Sequence, residues 1–319
     1  MKYYDAEPLE FASLRTIPIA ERGGKVRTEH MGAPHQPGSS LAVWLEKLPK
    51  ILAADSLRAV VSALKAARQA RKAILWGLGG HVIKCGLAPV LTDLIDRGFV
   101  TGFLMNGAAA IHDFEIGLCG ATSEDVEAVL PDGRFGSAEE TGREMNRAIA
   151  GGAAAGIGMG EALGRRICEI ARPEHAPACL QVQAYRRRVP VTVHVAIGTD
   201  TPHTHPLADG AAIGAASHHD FRLCCSLVRG LDRGGVYVNV GSAVVLPEVF
   251  LKAVSVVRNL GYPLADFTTA NFDFLQHYRP KANVVERPHA QRGGRGYAIT
   301  GHHEIMIPLL AALLAEDGQ

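Results

Sequence analysis

The sequence predicts an α/β protein in which helices cover both faces of a mostly parallel sheet. Short apolar runs alternate with segments of helical periodicity, as in βα units joined by crossover helices. The runs are nearly continuous and lack the apolar–polar alternation of a half-exposed sheet, which indicates strands buried on both faces. Residues 121–187 break this rhythm with a stretch rich in Ala, Gly and Arg, which predicts a helical insertion.

The elements follow one another in a regular order. Apolar runs predict strands at 73–77, 100–105, 189–197, 236–240 and 265–270. Apolar residues at helical spacing predict helices at 41–71, 81–97, 108–118, 217–229, 243–260 and 301–314. The residues before position 41 are polar and rich in Gly, Pro and Arg. We therefore expect an extended N-terminal arm at 1–40 and a single domain at 41–319.

Composition and charge exclude several classes of protein. The 319 residues carry a net charge of +1, so the sequence lacks the excess of basic residues that is typical of nucleic-acid-binding proteins. No apolar run reaches the roughly 18 residues of a membrane span, and the first residues lack the apolar core of a signal peptide. None of the six cysteines forms a CxxC pair. We expect a cytoplasmic protein with reduced thiols that binds a small molecule.

Small residues follow the predicted strands at five junctions. The first junction matches the dinucleotide fingerprint G-x-G-x-x-G only in part, because Val82 stands at the last glycine. Parallel strands share one carboxyl edge, so the five turns should converge on a crevice that suits a nucleotide-like ligand. The alternative is tight packing without a ligand. The candidate binding residues are Gly79, Gly80, His81, Gly107, Ala108, Ala109, Asp209, Gly210, Gly241, Ser242, Thr268, Thr269 and Ala270.

Titratable side chains follow two of these strands. His112 and Asp113 come just after the second junction and are candidates for proton transfer. His203 and His205 form an H-x-H pair in the loop after the third strand, where an extended backbone would point both rings to one side. Such a pair predicts zinc or another divalent metal. A solvated polar loop is the alternative interpretation.

The order of these motifs resembles the deoxyhypusine synthase family over roughly residues 70–315. The turn at 79–81 corresponds to the family's TSN region, and 107–114 corresponds to its TAGG stretch. Residues 189–191 together with 208–210 correspond to the family's PV and TDG stretch, and 241–243 to its GGG turn. Residues 268–270 correspond to its NTA motif, and 307–310 to its closing FPLL helix. The resemblance implies a Rossmann-like fold, bound NAD, transferase chemistry, and a homo-oligomer (a dimer or a tetramer) with sites at a dimer interface.

The sequence departs from that family at its catalytic lysine. The family's lysine-bearing run has no counterpart here, and Lys281 is the only lysine in the corresponding stretch. We keep Lys281 as a third catalytic candidate. Arginines replace the acidic and aromatic residues of that stretch, which favours an anionic substrate over a polyamine. They are Arg279, Arg287, Arg292 and Arg295.

Three functions follow from these patterns. The first is an NAD-dependent enzyme that oxidises, or transfers a group on, a small substrate bearing an amine or a hydroxyl, distinct from deoxyhypusine synthesis. The second is a metal-dependent hydrolase or lyase that uses a cluster of histidines. The third is a non-catalytic nucleotide-binding homologue that kept the fold and lost the lysine.

Overall fold

The computed structural model describes residues 3–316. Its six strands form one sheet in the order β3-β2-β1-β4-β5-β6, and every neighbouring pair is parallel. The predicted α/β fold class is confirmed. The strands are β1 (Ile74–Leu78), β2 (Gly102–Asn106), β3 (Val191–His194), β4 (Val236–Val240), β5 (Thr268–Asp273) and β6 (Arg295–Thr300).

Helices connect the strands and form the predicted insertion. No strand lies between β2 and β3 in the described chain. The α-helices are α1 (Leu41–Lys47), α2 (Leu52–Gln69), α3 (Gly80–Lys84), α4 (Ala88–Asp96), α5 (Gly107–Cys119), α6 (Val126–Val129), α7 (Glu139–Ala154), α8 (Met159–Ile170), α9 (Leu180–Arg186), α10 (Gly210–Arg229), α11 (Val245–Asn259), α12 (Tyr278–Pro280) and α13 (His303–Ala315). Short 3-10 helices lie at Thr28–His30, Leu130–Asp132, Ala176–Ala178, Thr201–Thr204 and Arg287–His289, and a π-helix lies at Lys281–Glu286.

The core has two layers because neighbouring residues of a strand point to opposite faces of the sheet. Trp76 lies in the larger layer with Leu64 of α2 and Leu310 of α13. Leu75, its neighbour in the strand, lies in the smaller layer, where α10 and α11 cover the sheet and Phe250 is buried. Helices on both faces explain why the strands are apolar throughout.

Several boundaries differ from those predicted. The helix expected at 81–97 is divided into α3 and α4, because Gly86 adopts a left-handed φ of 74°. The last predicted strand starts three residues later, at Thr268, and extends to Asp273. β6 was not predicted at all, since its sequence RGYAIT opens with a charged residue and a glycine. Within residues 3–316, no helix is long and apolar enough to cross a membrane.

A buried carboxylate joins the insertion to the edge strand β3. Asp220 of α10 accepts hydrogen bonds from the backbone N–H of Val193 (2.7 Å) and of Gly160 (2.8 Å) through one oxygen. Its other oxygen, Oδ1, is buried without a hydrogen-bond partner. Burial raises the pKa of Asp220 from 3.8 to about 7, since the charged form is poorly solvated.

This carboxylate predicts a loss of stability as the pH rises. The folded protein keeps a proton that the unfolded chain releases near pH 3.8, because the folded pKa of Asp220 is higher. The free energy of unfolding should therefore fall by up to about 4 kcal/mol between about pH 4 and pH 7. Asp220→Asn keeps an acceptor oxygen and cannot ionise, so its loss across this range should be smaller. Urea unfolding at several pH values measures the difference.

The exposed Asp132→Asn variant is the control, because its carboxylate should contribute little to stability. Wild type, control and Asp220→Asn losing the same free energy over this pH range would contradict the assignment.

Candidate functional site

The turns after β1 and β4 meet in the middle of the carboxyl edge of the sheet. Strands β2 and β3 extend the sheet to one side of this point, and β5 and β6 to the other. The backbone N–H of Gly79 donates to the carbonyl of Val240 (2.9 Å), so the two turns are directly bonded. A strand order that reverses here defines a topological switch point, where open α/β sheets bind their ligands.

Glycines allow the turns to approach one another closely. A Cβ on Gly79 would overlap the carbonyl oxygen of Gly241. A Cβ on Gly80 would lie 2.9 Å from the Cβ of Ala108, so this glycine brings α3 against α5. Gly241 has a left-handed φ of 63°, which other residues rarely adopt. Close packing thus accounts for these predicted glycines, and it fixes the floor of the crevice.

A buried histidine lies beside this floor. His303, the first residue of α13, is 1% exposed, and neither ring nitrogen has a hydrogen-bond partner. Its Nε2 atom lies 3.6 Å from Oδ1 of Asp273 at the end of β5. Burial lowers the pKa of His303, and the nearby carboxylate only partly opposes this effect. The ring centroid lies 5.5 Å from that of His81, which follows β1.

A chain of buried amides supports the same edge from below. Asn239 of β4 donates to the carbonyl of Ser242 (3.0 Å) and to the side chain of Asn271 in β5 (2.7 Å). Asn271 in turn donates to Gln276 (2.8 Å), which donates to the carbonyl of Ile299 in β6 (3.2 Å). This network ties β4, β5 and β6 together where they reach the crevice.

A cavity of about 200 Å³ opens at the start of α5. Asp200 lies over Gly107, where a Cβ would overlap the carboxylate. Burial raises the pKa of Asp200, and its Oδ2 atom has no partner. Lining residues that bear on its chemistry are Lys84, Ala108, His112, Glu115, Glu124 and Asp200.

His112 has defined hydrogen-bond partners in this cavity. The Thr122 hydroxyl donates its one proton to Glu115 and lies 2.7 Å from Nδ1 of His112. That oxygen can then only accept, so Nδ1 carries the ring proton and Nε2 keeps a free electron pair. Cδ2, the ring neighbour of Nε2, lies 3.2 Å from the position of a Cβ on Gly80. The Cδ2 atom of His112 therefore packs against the turn after β1.

The carboxylate of Glu115 is held in its charged form. Burial raises its pKa, but the nearby His112 ring and hydrogen bonds from Thr122 and Thr141 outweigh that effect, so the pKa of Glu115 is lowered overall. The carboxylate lies 3.8 Å from Nδ1 of His112. Glu115, Thr122 and His112 thus form one hydrogen-bonded group of side chains.

Asp113, unlike His112, lies outside the cavity and binds backbone groups. It is fully buried and accepts hydrogen bonds from the backbone N–H of Leu180 (2.6 Å) and of Gln181 (2.7 Å), at the start of α9. The thiol of Cys179 donates to it as well (3.3 Å). Burial raises the pKa of Asp113, and these donors oppose the rise. Its side chain caps a helix, and we assign it no role in proton transfer.

Several predicted binding residues lie away from the crevice or cap helices. Thr268, Thr269 and Ala270 are in the amino-terminal half of β5, and Thr269 bonds to the carbonyl of Val284 (2.6 Å). Asp209 caps α10 by accepting from Ala211 (2.8 Å). Gly210 begins that helix, Ser242 caps α11 by accepting from Leu246 (3.2 Å), and Ala109 donates to the capping Asn106 (2.9 Å).

The predicted metal pair adopts a different backbone from the one expected. His203 is in the 3-10 helix Thr201–Thr204, and His205 caps it, so the segment is not extended. Nδ1 of His203 accepts from the N–H of Gly198 (3.4 Å), whereas Nε2 of His205 lies 3.2 Å from Glu139. The two rings thus have separate partners.

The charged residues after β5 have contacts of their own within the protein. Lys281 is exposed and begins the π-helix, which packs against β5, β6 and α11. Arg279 pairs with Glu248 (3.3 Å), and Arg287 donates to Asn283 (2.7 Å). Arg295 is the first residue of β6, so it lies at the amino-terminal edge of the sheet, and the crevice lies at the carboxyl edge. The expected binding of an anion by these arginines gains no support from their positions.

One cluster of potential metal ligands was missed by sequence reasoning. His81, Cys85 and Glu304 present ligand atoms that all lie within 4.8 Å of one another, the one such group of three or more within residues 3–316. Cys85 donates to Glu304 (3.5 Å). The four-residue spacing of His81 and Cys85 was the available signal, since it places two side chains on one helical face. Glu304 is more than 200 positions away and carried no such signal.

Comparison with known proteins identifies the fold. A protein from Methanococcus maripaludis S2 assigned as LOR/SDH aligns with a TM-score of 0.50 and 14% identity over 83% of this chain and 70% of its own. AgrE, solved as a variant bound to L-arginine, aligns with a TM-score of 0.51 and 18% identity over 83% of this chain. The chain spans only 32% of AgrE.

A protein from Entamoeba histolytica assigned as a deoxyhypusine synthase aligns with a TM-score of 0.49 and 9% identity, over 88% of this chain and 95% of its own. At the identities of these solved structures, the likeness to this chain is one of fold. AgrE has also been solved with ornithine and NAD+, in a structure that aligns with a TM-score of 0.48. No family model and no curated protein matches the sequence.

The position of Asp113 predicts a large effect on stability. Asp113→Ala leaves two buried backbone N–H groups at the start of α9 without acceptors, each worth about 1–3 kcal/mol. We expect the free energy of unfolding to fall by about 3 kcal/mol, measured by urea unfolding. The exposed Asp132→Ala variant should change it by less than about 0.5 kcal/mol. Equal, small effects of both substitutions would contradict the capping role.

Proposed function

We propose that this protein is an NAD-dependent enzyme that oxidises, or transfers a group on, a small substrate bearing an amine or a hydroxyl. The observation that carries the proposal is the strand order β3-β2-β1-β4-β5-β6, which is the order of dinucleotide-binding sheets. Its switch point lies where the small-residue turns after β1 and β4 meet. A dinucleotide would extend across these turns.

The cavity at α5 supports a small substrate beside the nucleotide. Its volume of about 200 Å³ is below the 300–1,000 Å³ typical of drug-sized ligands, so it suits a molecule of few heavy atoms. One cation, Lys84, faces the carboxylates of Glu115, Glu124 and Asp200. This balance favours an amine over the anion that the sequence suggested.

His112 is the residue we propose for proton transfer. Its ring lines the cavity and packs against the turn after β1, and the negative charge of Glu115 lies 3.8 Å from its Nδ1 atom. A substrate oriented in the cavity would lose its amine or hydroxyl proton to Nε2 while hydride passes to the nicotinamide, which is the chemistry that NAD supplies. The chain's own contribution is orientation and proton acceptance.

Nucleotide binding is tested by thermal unfolding of the full chain freed of bound small molecules. NAD at about 100 times its dissociation constant should stabilise the fold by about 2.7 kcal/mol, which raises the midpoint by a few degrees. NADP serves as the comparison. No shift with either nucleotide would remove the proposed function and leave the fold unaffected.

The role of His112 is tested separately, by NADH formation with a panel of small amines and alcohols. His112→Asn should keep the NAD-induced shift but lower turnover by about 10²–10⁴-fold, because only the proton acceptor is lost. His35→Asn, an exposed arm histidine, is the matched control and should retain full turnover. Equal turnover of the His112 variant and wild type would rule out His112.

A further inference from the structure

We propose that His81, Cys85 and Glu304 bind a divalent transition-metal ion with the preference of zinc. An imidazole, a thiol and a carboxylate converge here, with their ligand atoms within 4.8 Å of one another. Three protein ligands of these types match zinc sites that keep a further position for water or substrate. This site is separate from the H-x-H pair and does not depend on NAD.

The backbone brings the three ligands together with little freedom. His81 and Cys85 are four residues apart at the two ends of a helical turn formed by α3, so their side chains lie on one face. α3 is held against α5 by the contact between Gly80 and Ala108. Glu304 is in the first turn of α13, whose other face is anchored in the core by Ile307 and Leu310.

A second observation points to a polar ligand in the same place. His303 is buried, and neither of its ring nitrogens makes a hydrogen bond, although Oδ1 of Asp273 lies 3.6 Å from Nε2; unmet hydrogen bonds of a buried ring cost free energy. Its ring lies 5.5 Å from that of His81 and packs against Gly241 in the turn after β4. A bound ion with its water would supply the missing polar contacts.

The donor set selects the class of ion. Thiolate and imidazole ligands suit zinc and similar transition metals, whereas magnesium and calcium prefer oxygen ligands alone. At the edge of the crevice, such an ion would polarise an oxygen or nitrogen of a small substrate. Only this last statement rests on the proposed function.

The test is a cobalt titration of the full chain after removal of metals with a chelator. Cobalt reports a cysteine ligand by a thiolate-to-metal absorption band in the near ultraviolet. We expect the band to saturate at one equivalent and to disappear in Cys85→Ser. Glu304→Gln and His81→Asn should weaken binding by more than about tenfold, as loss of outer partners alone costs about 10–100-fold.

Cys119→Ser is the matched control, because Cys119 is an exposed free cysteine on α5 whose thiol donates to the backbone carbonyls of Glu115 and Ala121. It should bind cobalt as wild type does. Equimolar zinc should displace the cobalt, and excess magnesium should not. Circular dichroism of each variant separates loss of the site from loss of the fold.

Absence of stoichiometric cobalt binding by wild type would overturn the proposal, and so would a band that persists in Cys85→Ser. The NAD-induced thermal shift is measured on the same metal-free and cobalt-loaded samples. Cobalt binding without an NAD shift supports the metal site and removes the proposed function. An NAD shift without cobalt binding supports the proposed function and removes the metal site.

Discussion

The contact between the turns after β1 and β4 is the constraint on which the rest of the site depends. Gly79 and Gly241 bring two backbones into contact where no side chain fits, and the bond from Gly79 to Val240 holds them there. Every neighbouring group is positioned from this point. α3 packs against α5 through Gly80, and the ring of His303 packs against Gly241.

Two buried carboxylates hold the helical insertion in place. Asp113 receives the first amides of α9, and Asp220 receives amides from α8 and β3. Each satisfies backbone donors that a helix start or an edge strand would otherwise bury unpaired. The sequence does not distinguish a carboxylate that caps a helix from one that transfers protons, because the role depends on partner residues in distant segments of the chain. His112 and Asp113 are adjacent, yet only His112 reaches the cavity.

The order of strands and helices could be predicted from the sequence more accurately than the residues that form the site. Buried strands and crossover helices leave local patterns, so five of the six strands were recognised. Asp273 and the residues around it were missed, because the strand was predicted three residues too early. That error placed Thr268–Ala270 at the carboxyl end of the strand, whereas they form its amino-terminal half. The group formed by His81, Cys85 and Glu304 depends on α13 packing beside α3, and no local pattern records that contact. Glycine spacing likewise did not reveal that Gly77 makes room for the ring of Tyr237.

The strand order also governs how the chain assembles during synthesis. β1 lies in the centre of the sheet, but its partner β4 is at 236–240, after the whole insertion. Until that segment leaves the ribosome, one side of β1 has unpaired backbone groups, and the amino-terminal half of the sheet ends in an open apolar edge. Closure then joins segments far apart in sequence, and pairing of this kind is slow compared with the formation of local contacts. The crevice at the switch point is therefore among the last features of the molecule to form.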